Sequence, residues 1–212
     1  MEEYIKILLI KAPPILFALT VHEWAHGLAA VRLGDLTPRM LGRVSLNPLV
    51  HLDLVGTAAL FLTGMFGWAK PVPINPHNFK NPSRAMMFVA LAGPLANLAL
   101  AAVFSLAYKG IVAGGYMRAI DSSTVLWPVF FMLRISIIVN ISLAVFNLIP
   151  IPPLDGSRVL AHFLPADKAA GYSKIEPYGF MILIALLYTG VIGRVVSPLV
   201  FYTVRLMVWG GM

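Results

Sequence analysis

The segment VHEWAH places His22, Glu23 and His26 within five residues of one apolar run. If that run is helical, residues four apart stack on one face about a turn apart, so two imidazoles can turn their nitrogens to one metal ion. Glu23 then lies roughly 100° round the helix from His22 and about 60° from His26. From there its carboxylate reaches a metal-bound water without becoming a ligand. The chemistry this spacing supports is metal-assisted hydrolysis with Glu23 as general base. An ionisable side chain deep in a bilayer costs at least ~2.5 kcal/mol, so three in one apolar helix need a compensating partner, and a divalent cation is one.

A catalytic zinc ion usually takes three protein ligands and a water. The chain has no cysteine, which leaves His51, His77, His162 and a few carboxylates to complete the set. Asp155 is the favoured one. It stands in NLIPIPPLDG, where prolines open the backbone at the exit of an apolar run and Gly156 permits a tight turn. Two neutral imidazoles, Asp155 and an ionised Glu23 also balance Zn2+ to zero net charge, which lowers the cost of holding the cluster in a poor dielectric. Asp-Gly alone would read as an ordinary exposed turn. Its pairing with HEWAH makes it a candidate ligand for one zinc ion per chain.

These groups need helices that live in a membrane. Of 212 residues, 59% are hydrophobic and only 12% charged, and the mean hydropathy is +0.83. That is far from a soluble average. The first apolar segment, about 4–31, carries Pro13 and Pro14 and predicts a kinked spanning helix. Glu2 and Glu3 ahead of it, with no small-residue exit behind it, argue against a cleaved signal peptide. Residues 34–51 mix Gly, Pro and Arg with Val and Leu, which favours a hairpin or irregular loop. The run 52–66 is short for a span and reads as re-entrant. Spanning candidates follow at about 84–108 and 126–148, and two shorter apolar runs, about 178–192 and 195–209, close the chain. The sequence thus predicts an all-α polytopic membrane protein with about five spanning helices plus a re-entrant segment and a small membrane-associated hairpin.

Other residues in these runs have plainer readings. Asn97 and Asn140 fit hydrogen bonds between helices, and Gly93 with Ala92 and Ala96 gives a small face for close helix approach. His51 and Asp53 could pair behind the metal or serve structure alone, and Arg134 can snorkel to an interface. The net charge of +7 comes from Lys and Arg spaced singly between apolar segments. That spacing fits loops facing anionic lipid and not a nucleic-acid surface.

Topology constrains the assignment. If His22 and Asp155 meet at one metal, an even number of crossings must separate them. Treating 52–66 as re-entrant gives two crossings. Nine basic residues (Arg32, Arg39, Arg43, Lys70, Lys80, Arg84, Arg158, Lys168 and Lys174) then share the metal-proximal face. Five (Lys6, Lys11, Lys109, Arg118 and Arg194) lie opposite, so the metal-proximal face is expected to be cytoplasmic.

HEWAH in an apolar helix, GRVSLNPLVHLD after it, AGPLAN in a later helix and NLIPIPPLDG near a helix end together resemble the site-2 protease family of intramembrane zinc metalloproteases. The resemblance covers nearly the whole chain, and the pairing of HExxH with N-x-x-P-x-P-x-L-D-G is far more specific than HExxH alone. It implies one integral-membrane metalloprotease domain over 1–212. It further implies His22, His26 and Asp155 as zinc ligands, Glu23 as the catalytic acid, and Asn147 as a residue that binds or orients the substrate backbone. The expected partners are a transmembrane protein or peptide substrate and membrane lipid, in a multi-pass protein of the cell membrane. A transporter would also bury ionisable groups, but it does not account for a glutamate beside two ligands. A noncatalytic zinc scaffold would tolerate Glu23→Gln.

Overall fold

The computed structural model describes residues 2–63 and 68–209. Helix α1, Glu2–Leu33, runs through Pro13 and Pro14 and ends where Gly34 takes a left-handed φ of 115°. The Gly34 N–H donates to the Val31 carbonyl and the Asp35 N–H to Ala30, so a Schellman pair closes the helix that carries HEWAH. A four-residue helix α2, Thr37–Met40, and a 3-10 turn, Pro48–Val50, follow. Of the two expectations for 34–51, the irregular loop is the one observed: the described residues contain no strand ladder, only a single antiparallel bridge from Leu52 to Ala69. Asn47 explains part of this, because its side chain accepts from the Leu49 N–H and turns the chain at Pro48.

Helix α3, Leu54–Thr63, has 10 residues, about 15 Å of rise, too little to cross a bilayer. The rest of the proposed re-entrant run, 64–66, lies outside the described residues. A second 3-10 turn, Pro76–Asn78, leads into α4, Pro82–Ala113, whose first turn is capped by Asn81 accepting from the Arg84 N–H. Then come α5, Met117–Asp121, α6, Leu126–Asn147, α7, Asp155–Phe163, α8, Ala166–Ser173, α9, Glu176–Tyr188, and α10, Val191–Trp209. Four helices among the described residues are long and apolar enough to cross a membrane, those of 7–33, 82–113, 126–147 and 191–208. The fifth apolar helix, α9, has 13 residues and is short for a full crossing. The chain is an all-α polytopic membrane protein.

Two compact units are apparent. The first comprises the start of α1 up to Ala18, residues 97–147 and the chain from Met181 onwards. Its core is Ala101, Ile137 and Ile141, packed by Phe104, Tyr108, Val200 and Val204. Within it the Asn97 amide donates to the Ala18 carbonyl at 3.1 Å and to Asn140 Oδ1 at 2.8 Å, and the Asn140 amide donates to the Ser136 carbonyl at 2.8 Å. Both asparagines are 0% exposed. Where no water competes, buried amides must be paired, and these serve the helix packing expected of them.

The second unit comprises 19–96 and 148–180. Ala30, Phe79, Ala85 and Val89 form its core. Gly156 sits in the first turn of α7 against the chain end that follows α6: a side-chain carbon there would run into the Leu148 and Ile149 carbonyls. The glycine of the Asp-Gly pair is therefore required by close packing, whereas the sequence had pointed to a tight turn.

Candidate metal centre

His22 and His26 project from adjacent turns of α1 with their rings edge to face, 4.6 Å between centroids. Asp155 opens α7. His22 Nε2 lies 3.0 Å from His26 Nε2, and Asp155 Oδ2 lies 3.2 Å and 3.3 Å from them respectively. The two histidines are buried, and Asp155 Oδ2 is a buried oxygen without a hydrogen-bond donor. Three potential ligand atoms thus converge.

The triangle fits zinc. Ligands about 2.0–2.2 Å from a tetrahedral ion stand about 3.3–3.6 Å apart, slightly wider than the edges observed. The donor set, two imidazoles and one carboxylate, suits Zn2+ and leaves a fourth position for water. The His26 ring is oriented from behind: its Nδ1–H donates to the Val89 carbonyl at 2.7 Å, which fixes the tautomer and leaves the Nε2 lone pair facing Asp155 and His22. Among the described residues this is the one group of three potential metal ligands.

Glu23 is held by backbone. The Val72 N–H donates to Glu23 Oε2 at 3.0 Å. Val72 stands between Pro71 and Pro73, neither of which has an N–H, so it supplies the single donor of that triplet. Its side chain also covers α1: a carbon added at Gly27, one turn beyond Glu23, would meet Val44 at 3.3 Å and Val72 at 3.5 Å.

Gly93 walls the site from α4. A side-chain carbon there would stand 2.5 Å from His26 Nε2 and 2.7 Å from His22 Cε1. The small face read from sequence as a site of helix approach makes room, at this position, for the imidazoles.

The remaining histidines stand elsewhere. His51 is buried and its Nε2–H donates to the Ser45 carbonyl at 2.8 Å. Asp53 instead accepts from the Gly56 N–H in the first turn of α3, so the two do not pair. His77 lies in the exposed turn at Pro76–Asn78, and His162 Nδ1 meets Ser83 Oγ at 2.9 Å. Asn147 ends α6, and its amide donates to the Leu143 carbonyl one turn back.

Sequence reasoning missed Asp35, which is 0% exposed just past the end of α1. Its Oδ1 accepts from the Thr37 N–H, the Thr37 hydroxyl and the Asn78 amide, and its Oδ2 accepts from the Asn75 N–H at 2.7 Å. Burial alone would raise its pKa, but the donors from Thr37, Asn75 and Asn78 prevail and hold the carboxyl below its ordinary value. A Gly-Asp pair at a helix end was the available signal, but that pair carries no information on distant partners.

The profile of peptidase family M50 matches residues 12–190. YwhC of Bacillus subtilis, which carries a zinc-metalloprotease name, is 35% identical to this chain over 191 residues, 87% of this chain and 83% of that protein. Rip2 of Mycolicibacterium smegmatis, named in the same way, is 28% identical over 206 residues, 94% of this chain and 74% of that protein. No solved structure matches the chain significantly.

Proposed function

Because the chain belongs to peptidase family M50, a family of zinc metalloproteases, we propose that it hydrolyses peptide bonds within or near transmembrane helices of membrane-protein substrates. His22, His26 and Asp155 hold the zinc, and Glu23 is the general base. The observation that carries this reading is the convergence of two Nε2 atoms and Asp155 Oδ2 within 3.0–3.3 Å, beside a glutamate that follows the first histidine. Zinc bound there supplies a Lewis acid that lowers the pKa of a water and polarises a carbonyl.

The chain's own groups do the rest. Glu23, anchored through Oε2, takes the proton from the attacking water and delivers it to the departing amine nitrogen. His26 keeps its Nε2 lone pair directed inward because Val89 holds the opposite ring nitrogen. A helical substrate hides its carbonyls in hydrogen bonds, so the cut segment must unwind. Asn147 and the irregular stretch 42–49 are the groups we assign to holding it extended. The protein lies in the cell membrane with the metal towards the cytoplasmic side, in keeping with the excess of basic residues on that face.

The test is metal content and cleavage of a panel of transmembrane peptides by purified wild type beside Glu23→Gln. Stoichiometric zinc in both, with cleavage by wild type alone, is the expected result. Zinc-dependent cleavage that persists in Glu23→Gln would remove Glu23 from the mechanism, and a protein that binds no metal would overturn the ligand assignment.

A further inference from the structure

The segment 70–78, KPVPINPHN, runs as an extended strap before its 3-10 turn, and it delivers the Val72 amide that donates to Glu23. Pro71 and Pro73 cannot donate to a neighbouring strand, so the strap cannot be held by a ladder at those positions. Beside the Lys70 N–H, which donates to the His51 carbonyl at 2.8 Å, two buried charged side chains hold it from outside, one at each end.

At the near end Arg43, 8% exposed, donates from one guanidinium nitrogen to the carbonyls of both Lys70 and Pro71, the residues immediately before Val72. At the far end Asp35 accepts from the Asn75 N–H and from the Asn78 amide, both at 2.7 Å. Asp35 is also bonded into the closing turns of α1 through its own N–H to Ala30. The helix that carries Glu23 and the strap that orients it are therefore fastened through a carboxylate twelve residues further along the chain, two past the end of that helix. Charge-assisted bonds of this kind are stronger than neutral ones, and a buried charge has no cheap alternative partner.

We propose that Asp35 and Arg43 are positioning residues for catalysis: they clamp the 70–78 strap so that the Val72 N–H holds Glu23 in its working orientation. This rests on Glu23 being the base. Among the described residues neither is hydrogen-bonded to His22, His26 or Asp155, and their effect on Glu23 passes through the strap. Loosening either end displaces the Val72 amide, and a carboxylate misplaced by an ångström can cost on the order of a hundredfold in rate.

The experiment measures kcat, KM, bound zinc and thermal melting for purified wild type, Asp35→Asn, Arg43→Lys and Asn78→Ala, using the transmembrane peptide that wild type cuts fastest. Expected for Asp35→Asn is a fall in kcat on the order of tenfold with KM and zinc content within about twofold of wild type. Arg43→Lys, which keeps the charge but replaces the planar, preorganised guanidinium with a more flexible ammonium, should fall in the same direction by less. Unchanged kcat in both variants, or a loss confined to KM, overturns the proposal. If Asp35→Asn loses its zinc or its fold, the decision passes to Asn78→Ala, which removes one bond to Asp35. Lower kcat there supports the clamp, and wild-type kcat overturns it. A wild type that binds zinc and cuts none of the peptides brings down the protease reading and the clamp together. Variants that match an active wild type bring down the clamp alone.

Discussion

Gly93 faces His26 so closely that a single added carbon would stand 2.5 Å from the ring nitrogen that turns towards Asp155. Gly93→Ala must push that imidazole, or α4, aside. Overpacking of this kind costs about 1–3 kcal/mol. If the strain falls on the ligand, zinc affinity drops by about ten- to a hundredfold. Chelator competition on the purified variant measures it, and wild-type affinity would show that α4 yields instead.

Zinc should also stabilise the fold. An ion that binds the native state alone adds about 4 kcal/mol at a thousandfold excess over its Kd. Stripping the metal should lower the melting temperature of wild type and restoring it should raise it, while Asp155→Asn and His26→Ala should melt alike with and without zinc. Melting that ignores zinc in wild type would count against the three-ligand site.

Asp35 gives a stability term with a defined sign. Its folded pKa lies below the ordinary 3.8, so its contribution is fully present above that value and is lost as pH falls through the lower folded value. Asp35→Asn should therefore cost about 1 kcal/mol or more at neutral pH, from hydrogen bonds to a charged group. The gap between variant and wild type should close in strongly acidic buffer. Melting curves of the metal-free proteins from neutral pH to below 3.8 test this, and a gap that widens on acidification would contradict it.

The absence of native cysteine makes orientation directly measurable. Cysteine at the exposed His77 should react with a membrane-impermeant thiol reagent from the cytoplasm, and cysteine at the exposed Ser122 from the opposite side. Reversed labelling would invert the topology while leaving the metal geometry untouched.

What could be read from sequence followed from range. His22 and His26 lie one helical turn apart, so their common face is fixed by local geometry. Asp155 was legible through the proline run and the family-like motif around it, although it opens a helix where a tight turn was expected. Asn97 and Asn140 were legible because an amide in an apolar helix has few uses beyond pairing. The hold on Glu23 was not legible. Its partner is a backbone N–H 49 positions away, and a backbone donor looks the same at every residue except proline. Asp35 was hidden for the related reason that two of its donors come from a turn some forty residues downstream.

The alternation Pro71–Val72–Pro73 gives the chain a reporter of its own. Only one exchangeable backbone proton exists in those three residues, and it is the one that touches the carboxylate. Its exchange with deuterium, or the chemical shift of a 15N label placed in valine, follows the opening and closing of a single contact without interference from neighbours on either side. The residence of Glu23 in its bonded position is therefore open to timing in the resting protein, before any substrate is added.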